Sequence, residues 1–151
     1  MNPSHEVRQE SWAGAVGELG KLFPLHWEEV KCSFPLEPNY NAYRGLEAAG
    51  ALVLVTLREQ DTLIGYWTCV LTPSLHSRSL RAATTDMVFI KKDHRAGGAF
   101  LLLQSKMEEI LRKHKVSLWF TGEKLANPIG PALLRVGFAP EERVFLKRLG
   151  E

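Results

Sequence analysis

The residues with the clearest chemical potential lie between an apolar, strand-like run that ends at Ile90 and an amphipathic stretch that begins near Phe100. The connecting segment, 91–99, reads Lys-Lys-Asp-His-Arg-Ala-Gly-Gly-Ala, so Arg95 stands just ahead of paired glycines. The first backbone N–H groups of a helix have no intrahelical partner, and the helix dipole favours negative charge beside them. Glycine lets an anion approach the backbone closely. The segment therefore predicts a phosphate-binding turn, with a tight turn that binds nothing as the simpler alternative.

Candidate acid–base groups lie at three other places in the sequence. Asp86 lies on the predicted strand that precedes this turn, nine residues before Arg95. Its carboxylate could take a proton directly or through water. Glu28 and Glu29 belong to the first helical segment, and His76 lies in a polar loop, where an imidazole can act as a base. For each of these side chains the alternative is an exposed or purely structural role.

The charge distribution is uneven along the chain, although the net charge is only +2. Up to Leu75 there are five basic and nine acidic residues, whereas from His76 onward there are fourteen basic and eight acidic residues. The second half should therefore attract anions, and free phosphates, a phosphorylated cofactor and nucleic acid all satisfy that preference. A solvated surface with accidental asymmetry is the alternative.

Hydrophobic periodicity predicts the elements that position these groups. Apolar residues at helical spacing indicate a first helix between Trp12 and Val30, broken or kinked at Pro24, and a second helix from the N-cap Asn39 to Gly50. Three strand-like segments follow, and after them a long helix, a strand, a short helix and a final strand. The predicted strands are 51–58, 63–71, 80–91, 116–121 and 143–149, and the later helices are 100–114 and 128–136. This order predicts a mixed sheet with helices on its faces.

The composition is that of one ordinary globular domain spanning residues 1–151, with 45% apolar and 24% charged residues. Cys32 and Cys69 lack CxxC spacing, and no set of His, Cys, Asp and Glu has metal-ligand spacing, so we expect no disulfide and no metal. The N-terminus has no secretion signal, and no apolar run approaches the roughly 20 residues of a membrane span. We therefore expect a cytoplasmic protein without a membrane partner.

Two segments resemble one enzyme family. Ile90-x-Lys92-x-x-Arg95-x-x-Gly98 ahead of an apolar helix resembles the acyl-coenzyme-A signature of the GCN5-related N-acetyltransferases, Val-x-Pro-x-x-Arg followed by Arg/Gln-x-x-Gly-x-Gly/Ala. The segment Asn127 to Phe138 is similar to that family's later element, a short helix that Asn opens and Gly-Phe closes. The resemblance spans about Ala51 to Leu149. It implies an α/β (α+β) fold with a mixed, mostly antiparallel sheet flanked by helices and a splayed central strand pair.

The resemblance also implies an activity, the transfer of an acetyl group from acetyl-CoA (coenzyme A) to an amine acceptor. The coenzyme pyrophosphate would bind backbone amides of the turn formed by Arg95, Ala96, Gly97, Gly98, Ala99 and Phe100. The pantetheine arm would pair, like an added strand, with Val88, Phe89 and Ile90, and Asn127 would face the pantetheine or the thioester. The candidate catalytic residues are Asp86, Glu28 and His76.

The sequence departs from the family pattern at two places. Phe100 stands where the signature prefers Gly or Ala, which puts the shape of the phosphate turn in doubt. Many members carry a tyrosine that protonates the departing thiolate, but the corresponding position here is a leucine, Leu133 or Leu134. Tyr66 is a substitute acid for the thiolate, with a core tyrosine as the simpler interpretation.

A narrower resemblance links the chain to small acetyltransferase-like proteins of tailed bacteriophages, through segments 25–30, 75–79 and 127–138. It implies a host-cytoplasmic protein and leaves two alternatives open. One is a phage enzyme that modifies nucleobases. The chain lacks a basic tract with interspersed aromatic residues on which bases could stack, so nucleic acid is a secondary partner. The other is a binding or inhibitor protein that keeps the fold without catalysis. The oligomeric state, a homodimer included, stays open.

Overall fold

The computed structural model describes residues 4–150, and within that range an initial strand and two helices precede three consecutive strands, a long helix, a short strand and a short helix. In chain order the elements are β1 (His5–Gln9), α1 (Trp12–Val30), α2 (Tyr40–Ala48), β2 (Leu52–Glu59), β3 (Thr62–Pro73), β4 (Arg81–Ile90), a one-turn 3₁₀ helix (Lys92–His94), α3 (Ala99–Lys113), β5 (Leu118–Phe120) and α4 (Gly130–Arg135). The ends of the predicted domain, residues 1–3 and 151, lie outside the described part.

The strands form one sheet in the order β1-β2-β3-β4-β5. The first four strands pair antiparallel with their neighbours, and β5 pairs parallel with β4. The parallel pair is short, because only Leu118–Phe120 meets Ala82–Thr84. From Thr85 to Ile90 the same edge of β4 has no strand partner among the described residues. The predicted mixed, mostly antiparallel sheet with a splayed strand pair is therefore confirmed.

Each face of the sheet is covered by a helical layer. On one face the apolar side of α3, including Leu103 and Met107, packs against β2 and β3. On the other face α1 contributes Trp12 and Leu19 to a second core. In β3 the side chains alternate between the two cores, because successive residues of a strand point to opposite faces. Tyr66 belongs to the α1 core and Trp67, the next residue, belongs to the α3 core.

Local sequence signals account for most element boundaries. The Asn39 side chain accepts a hydrogen bond from the Ala42 amide and caps α2 as predicted. The tight turn between β2 and β3 places Gln60 and Asp61 at positive φ, 49° and 67°, as a two-residue hairpin requires. His114 lies at the C-cap of α3, where the helix dipole favours an imidazole.

The structure differs from the sequence prediction at three places. First, β1 was not predicted, because its sequence His-Glu-Val-Arg-Gln is polar and is held by pairing with β2. Second, α1 continues through Pro24 as one helix, so the expected break is absent. Third, residues 143–149 form no strand, because no neighbouring strand pairs with them. Their apolar side chains, Phe145 among them, are largely exposed. No described helix is long and apolar enough to cross a membrane.

Candidate functional site

Three elements that are distant in sequence meet at the Glu29 carboxylate. The Arg95 guanidinium places Nη2 2.6 Å and 2.5 Å from the two carboxylate oxygens, and Asn127 Nδ2 donates to Oε1 at 2.6 Å. Arg95 Nε also donates to the carbonyl of Ile90 at 2.8 Å. The end of α1, the end of β4 and the loop before α4 are thereby joined by one group of hydrogen bonds. Two of the predicted cofactor-binding residues, Arg95 and Asn127, belong to it.

The predicted anion-binding turn follows directly from Arg95. Gly97 and Gly98 have φ values of 74° and 79°, in the left-handed region that glycine adopts without strain. Gly98 is the N-cap of α3, and its carbonyl accepts the hydrogen bond from the Leu102 amide that opens the helix. The amides before Leu102 are those that a helix leaves without intrahelical partners. The turn and the helix dipole together would favour a negatively charged group at this point.

Phe100 does not obstruct this turn. Its ring is partly buried against the α3 core, and its centroid lies 5.5 Å from that of Trp67. The side chain therefore points into the packing beneath the helix. The bulky residue at this position of the signature leaves the first turn of α3 open to a ligand.

The splay between β4 and β5 begins at Thr85. Its hydroxyl oxygen accepts hydrogen bonds from the indole N–H groups of Trp67 and Trp119, at 2.9 Å and 3.1 Å. With both lone pairs engaged, the hydroxyl donates its own proton to the Thr121 hydroxyl at 2.8 Å. This cluster holds the apex of a slot whose β4 wall is formed by Asp86 to Ile90. Sequence reasoning missed Thr85, since nothing local distinguishes this threonine from an ordinary strand residue.

Asp86 is exposed on β4, on the side that faces α2. Its carboxylate accepts hydrogen bonds from the Tyr43 hydroxyl at 2.5 Å and the Thr68 hydroxyl at 3.1 Å. The β3–β4 register is irregular at this point, between Thr68 and Cys69. A cavity of about 460 Å³ lies beside it, lined by Tyr43, by Met87 and mostly by apolar residues of 23–39, with the carboxylate of Glu37 among them. Asp86 is thus a fixed anionic group next to a mainly apolar cavity.

The His26 side chain is buried beneath Phe89, on whose ring Arg95 lies. The imidazole is only 7% exposed, stacks on Phe89 with a centroid distance of 5.0 Å, and is hydrogen-bonded through Nδ1 to the Tyr66 hydroxyl at 2.9 Å. Burial lowers the pKa of His26 to about 4, so the ring is neutral at physiological pH. Arg95 lies over the Phe89 ring at 5.9 Å. The position of His26 among the apolar residues of α1 was the signal that sequence reasoning could have used.

The structure separates the predicted site residues into two groups. Arg95 to Phe100, Val88 to Ile90 and Asn127 lie around the open end of β4, with Glu29 among them. Glu28 is exposed on the last turn of α1, and His76 is exposed in the loop that joins β3 to β4. That loop lies at the opposite end of β4 from the glycine turn, so His76 is remote from it.

Tyr66 lies in the core. It is fully buried, and burial raises the pKa of its hydroxyl. Its hydroxyl is engaged with His26 rather than with the slot beside β4. The core interpretation is therefore the one that the structure supports for this tyrosine.

No protein-family model and no curated protein matches the chain, but solved structures do. An aminoglycoside acetyltransferase from an uncultured soil metagenomic sample has a TM-score of 0.76 at 17% identity, covering 97% of this chain and 99% of that chain. A ribosomal-protein-alanine N-acetyltransferase from Brucella melitensis biovar Abortus 2308 has a TM-score of 0.71 at 16% identity, with 97% and 99% covered. An aminoglycoside N-acetyltransferase in complex with CoA has a TM-score of 0.76 at 15% identity, with 95% and 93% covered. These matches confirm that the fold is the one implied by the resemblance to the acetyltransferases.

Proposed function

We propose that this protein is an N-acetyltransferase that transfers an acetyl group from acetyl-CoA to an amine. The observation that carries the proposal is the placement of the glycine turn at the open end of β4. There an anion site at the start of α3 adjoins an unpaired strand edge, which together match a ligand with a pyrophosphate and an extended amide-bearing arm. The similar structures, one of them in complex with CoA, support the same interpretation.

The chain's own residues would hold the coenzyme in two ways. The backbone amides of Arg95 to Phe100 would bind the pyrophosphate, and the unpaired edge from Val88 to Ile90 would pair with the arm. The Arg95 side chain is committed to Glu29 and to the Ile90 carbonyl. Its role is therefore to position the turn, and Lys91 and Lys92 are the nearby cations that suit the phosphates. Asn127, held by Glu29, would line the slot from the α4 side.

The acceptor amine would enter from the cavity beside Asp86. A mainly apolar wall that includes Glu37, with the Asp86 carboxylate bonded to the lining residue Tyr43, suits an ammonium group on a partly apolar molecule. Asp86 is oriented by Tyr43 and Thr68, so its carboxylate has a fixed direction. It would attract the ammonium and take its proton, directly or through a water molecule.

Bound acetyl-CoA would supply the thioester carbonyl that the neutral amine attacks. Asp86 would first pass the ammonium proton on to solvent and so be free to take the second amine proton as the C–N bond forms and the C–S bond breaks, while the departing thiolate would take a proton from solvent. A backbone N–H of the β4 edge would stabilise the carbonyl oxygen as it gains charge. Leu133 is buried and offers no proton, in keeping with the absence of the family's tyrosine.

Titration calorimetry with CoA and acetyl-CoA tests the coenzyme site. Gly98→Glu places a negative charge at the anion site, and Gly17→Glu adds the same charge at an exposed, open position of α1. We expect wild type and Gly17→Glu to bind with Kd on the order of micromolar, and Gly98→Glu to bind at least about tenfold more weakly. Absence of binding by folded wild-type protein would overturn the proposal.

Thiol release from acetyl-CoA then tests turnover. The acceptor panel contains an aminoglycoside and an alanine-bearing peptide, the acceptor classes named for the similar structures, together with DNA. Turnover with an amine supports the proposal. Binding of CoA without turnover on any acceptor favours the alternative of a catalytically silent binding protein.

A further inference from the structure

We propose that His5, Glu59 and His94 form a binding site for a divalent transition-metal ion of the zinc class. The three residues come from the start of β1, the end of β2 and the 3₁₀ helix after β4. One ligand atom from each lies within 4.8 Å of the other two. The inference concerns a site apart from the proposed coenzyme turn and stands independently of the proposed function.

The distances are close to those of a metal-bound set. His94 Nδ1 lies 3.2 Å from Glu59 Oε2, and His5 Nε2 lies 3.8 Å from Glu59 Oε1. Zinc binds nitrogen and oxygen ligands at about 2.0 to 2.2 Å, so two ligands of a tetrahedral site are roughly 3.3 to 3.5 Å apart. Both pairs meet that spacing with side-chain shifts of a few tenths of an ångström. The two imidazoles approach the carboxylate from different elements, His5 from β1 and His94 from the 3₁₀ helix.

The independent indication of a ligand is the His5 side chain. It is only 2% exposed, and neither ring nitrogen has a hydrogen-bond partner within residues 4–150. A buried polar group without a partner is unfavourable, and native proteins satisfy nearly all such groups. Nε2 is the nitrogen directed at Glu59. A metal ion between the imidazole and the carboxylate would provide a partner for Nε2.

The chemistry of the donors selects the metal class. Two neutral imidazoles and one carboxylate suit zinc and its neighbours, whereas calcium and magnesium prefer oxygen ligands. Three protein ligands leave a fourth position for water. The Ser4 hydroxyl donates to Glu59 Oε1 at 2.9 Å, the kind of outer contact that orients a metal-binding carboxylate. The spacing of positions 5, 59 and 94 gave no metal signal in the sequence, because the ligands meet only in the folded sheet.

A bound ion would have a structural consequence. His94 immediately precedes Arg95, and the β2–β3 turn follows Glu59 directly. The metal would tie the segment that leads into the glycine turn to the first and second strands. We therefore expect metal binding to raise the melting temperature.

Calorimetric titration of untagged, chelator-treated protein with Zn²⁺, in the absence of coenzyme, tests the site. We expect one Zn²⁺ per chain with Kd on the order of 1 μM or lower. His5→Ala and His94→Ala should each weaken binding at least about tenfold. His76→Ala is the matched control, because this histidine is exposed in the distant β3–β4 loop, and it should bind like wild type.

His94→Ala also guards against a folding artefact, because the His94 side chain is 22% exposed and makes less core contact than His5. Circular dichroism verifies the fold of each variant, and the intensity of the visible absorption of bound Co²⁺ reports the coordination geometry. No binding to wild type, or binding that both His5→Ala and His94→Ala retain at full affinity, would overturn the proposal.

Discussion

Arg95 and Glu29, 66 residues apart in the chain, form an ion pair in which Nη2 lies 2.5 Å from one carboxylate oxygen and 2.6 Å from the other. Asn127 donates to the same carboxylate. The helix before the sheet, the turn after β4 and the loop before α4 are thus linked at the point where the sheet opens. The pair makes the geometry of the glycine turn depend on α1, although α1 contributes no residue to the turn itself.

The strength of this pair can be measured with a double-mutant cycle of Arg95→Ala and Glu29→Ala. Arg95 is 38% exposed and Glu29 is 24% exposed at the side chain, so solvent screens part of the attraction. We expect a coupling free energy of about 1 kcal/mol from denaturant unfolding. Additive effects of the two substitutions would show that the pair contributes no net stability.

Gly98→Ala and Gly17→Ala should change stability in opposite directions. A Cβ at Gly98 meets nothing within 4 Å, so the cost comes from its φ of 79° alone, about 1 to 2 kcal/mol. Gly17 lies within α1, is exposed and has open space, so alanine there should stabilise by about 1 kcal/mol. Urea unfolding of both variants measures the difference. Equal changes would contradict the positive φ at Gly98.

Arg58→Ala should be among the more destabilising single substitutions. Arg58 is 5% exposed, and its guanidinium donates to both carboxylate oxygens of Glu10, to both of Glu18 and to the Asp61 carbonyl. Removing it leaves two carboxylates without their cation, at a cost of about 3 kcal/mol. Thermal and urea unfolding measure this loss. Arg58→Lys keeps the charge but not the paired hydrogen bonds, so it should lower the free energy of unfolding by less than Arg58→Ala does.

The burial of His26 predicts a pH dependence of stability. Its pKa falls from 6.5 in the unfolded chain to about 4 in the fold. Between those values the unfolded state binds a proton that the folded state does not, so stability decreases as the pH falls from 6.5 to 4. The expected loss is about 3 kcal/mol over that window.

His26→Asn isolates this contribution. The free energy of unfolding is measured at several pH values between 7 and 4 for wild type and variant. The wild-type curve should fall more steeply, by the amount attributed to His26. Parallel curves would mean that the imidazole titrates alike in both states.

Asp86→Asn tests the proposed proton acceptor. We expect kcat to fall about 10² to 10³-fold with CoA affinity unchanged, since the carboxylate lies on the acceptor side of β4. Glu28→Gln and His76→Ala serve for comparison, because the sequence offered all three as candidates. Smaller losses are expected for them, since both side chains are exposed and His76 lies at the opposite end of β4 from the glycine turn. If kcat fell further in Glu28→Gln or His76→Ala than in Asp86→Asn, Asp86 would not be the proton acceptor.

The order of the elements and the glycine turn could be read from the sequence because both depend on local interactions. Amphipathic periodicity, the Asn39 cap and the positive φ of Gly97 and Gly98 involve residues within about one helical turn of each other. The same local reasoning failed for β1, whose polar sequence becomes a strand only through pairing with β2. It also failed for 143–149, where an apolar pattern without a neighbouring strand stays exposed.

The sequence by itself determined the fold class and the placement of Arg95 before the glycine turn, and it predicted Asn127 as a site residue. The tertiary structure alone decided that Glu29, and not its neighbour Glu28, meets both Arg95 and Asn127. It alone brought His94 to His5 and Glu59, and set Asp86 against Tyr43. These contacts join residues 35 to 98 positions apart, and their formation depends on how the sheet and helices pack, which no local pattern in the sequence encodes.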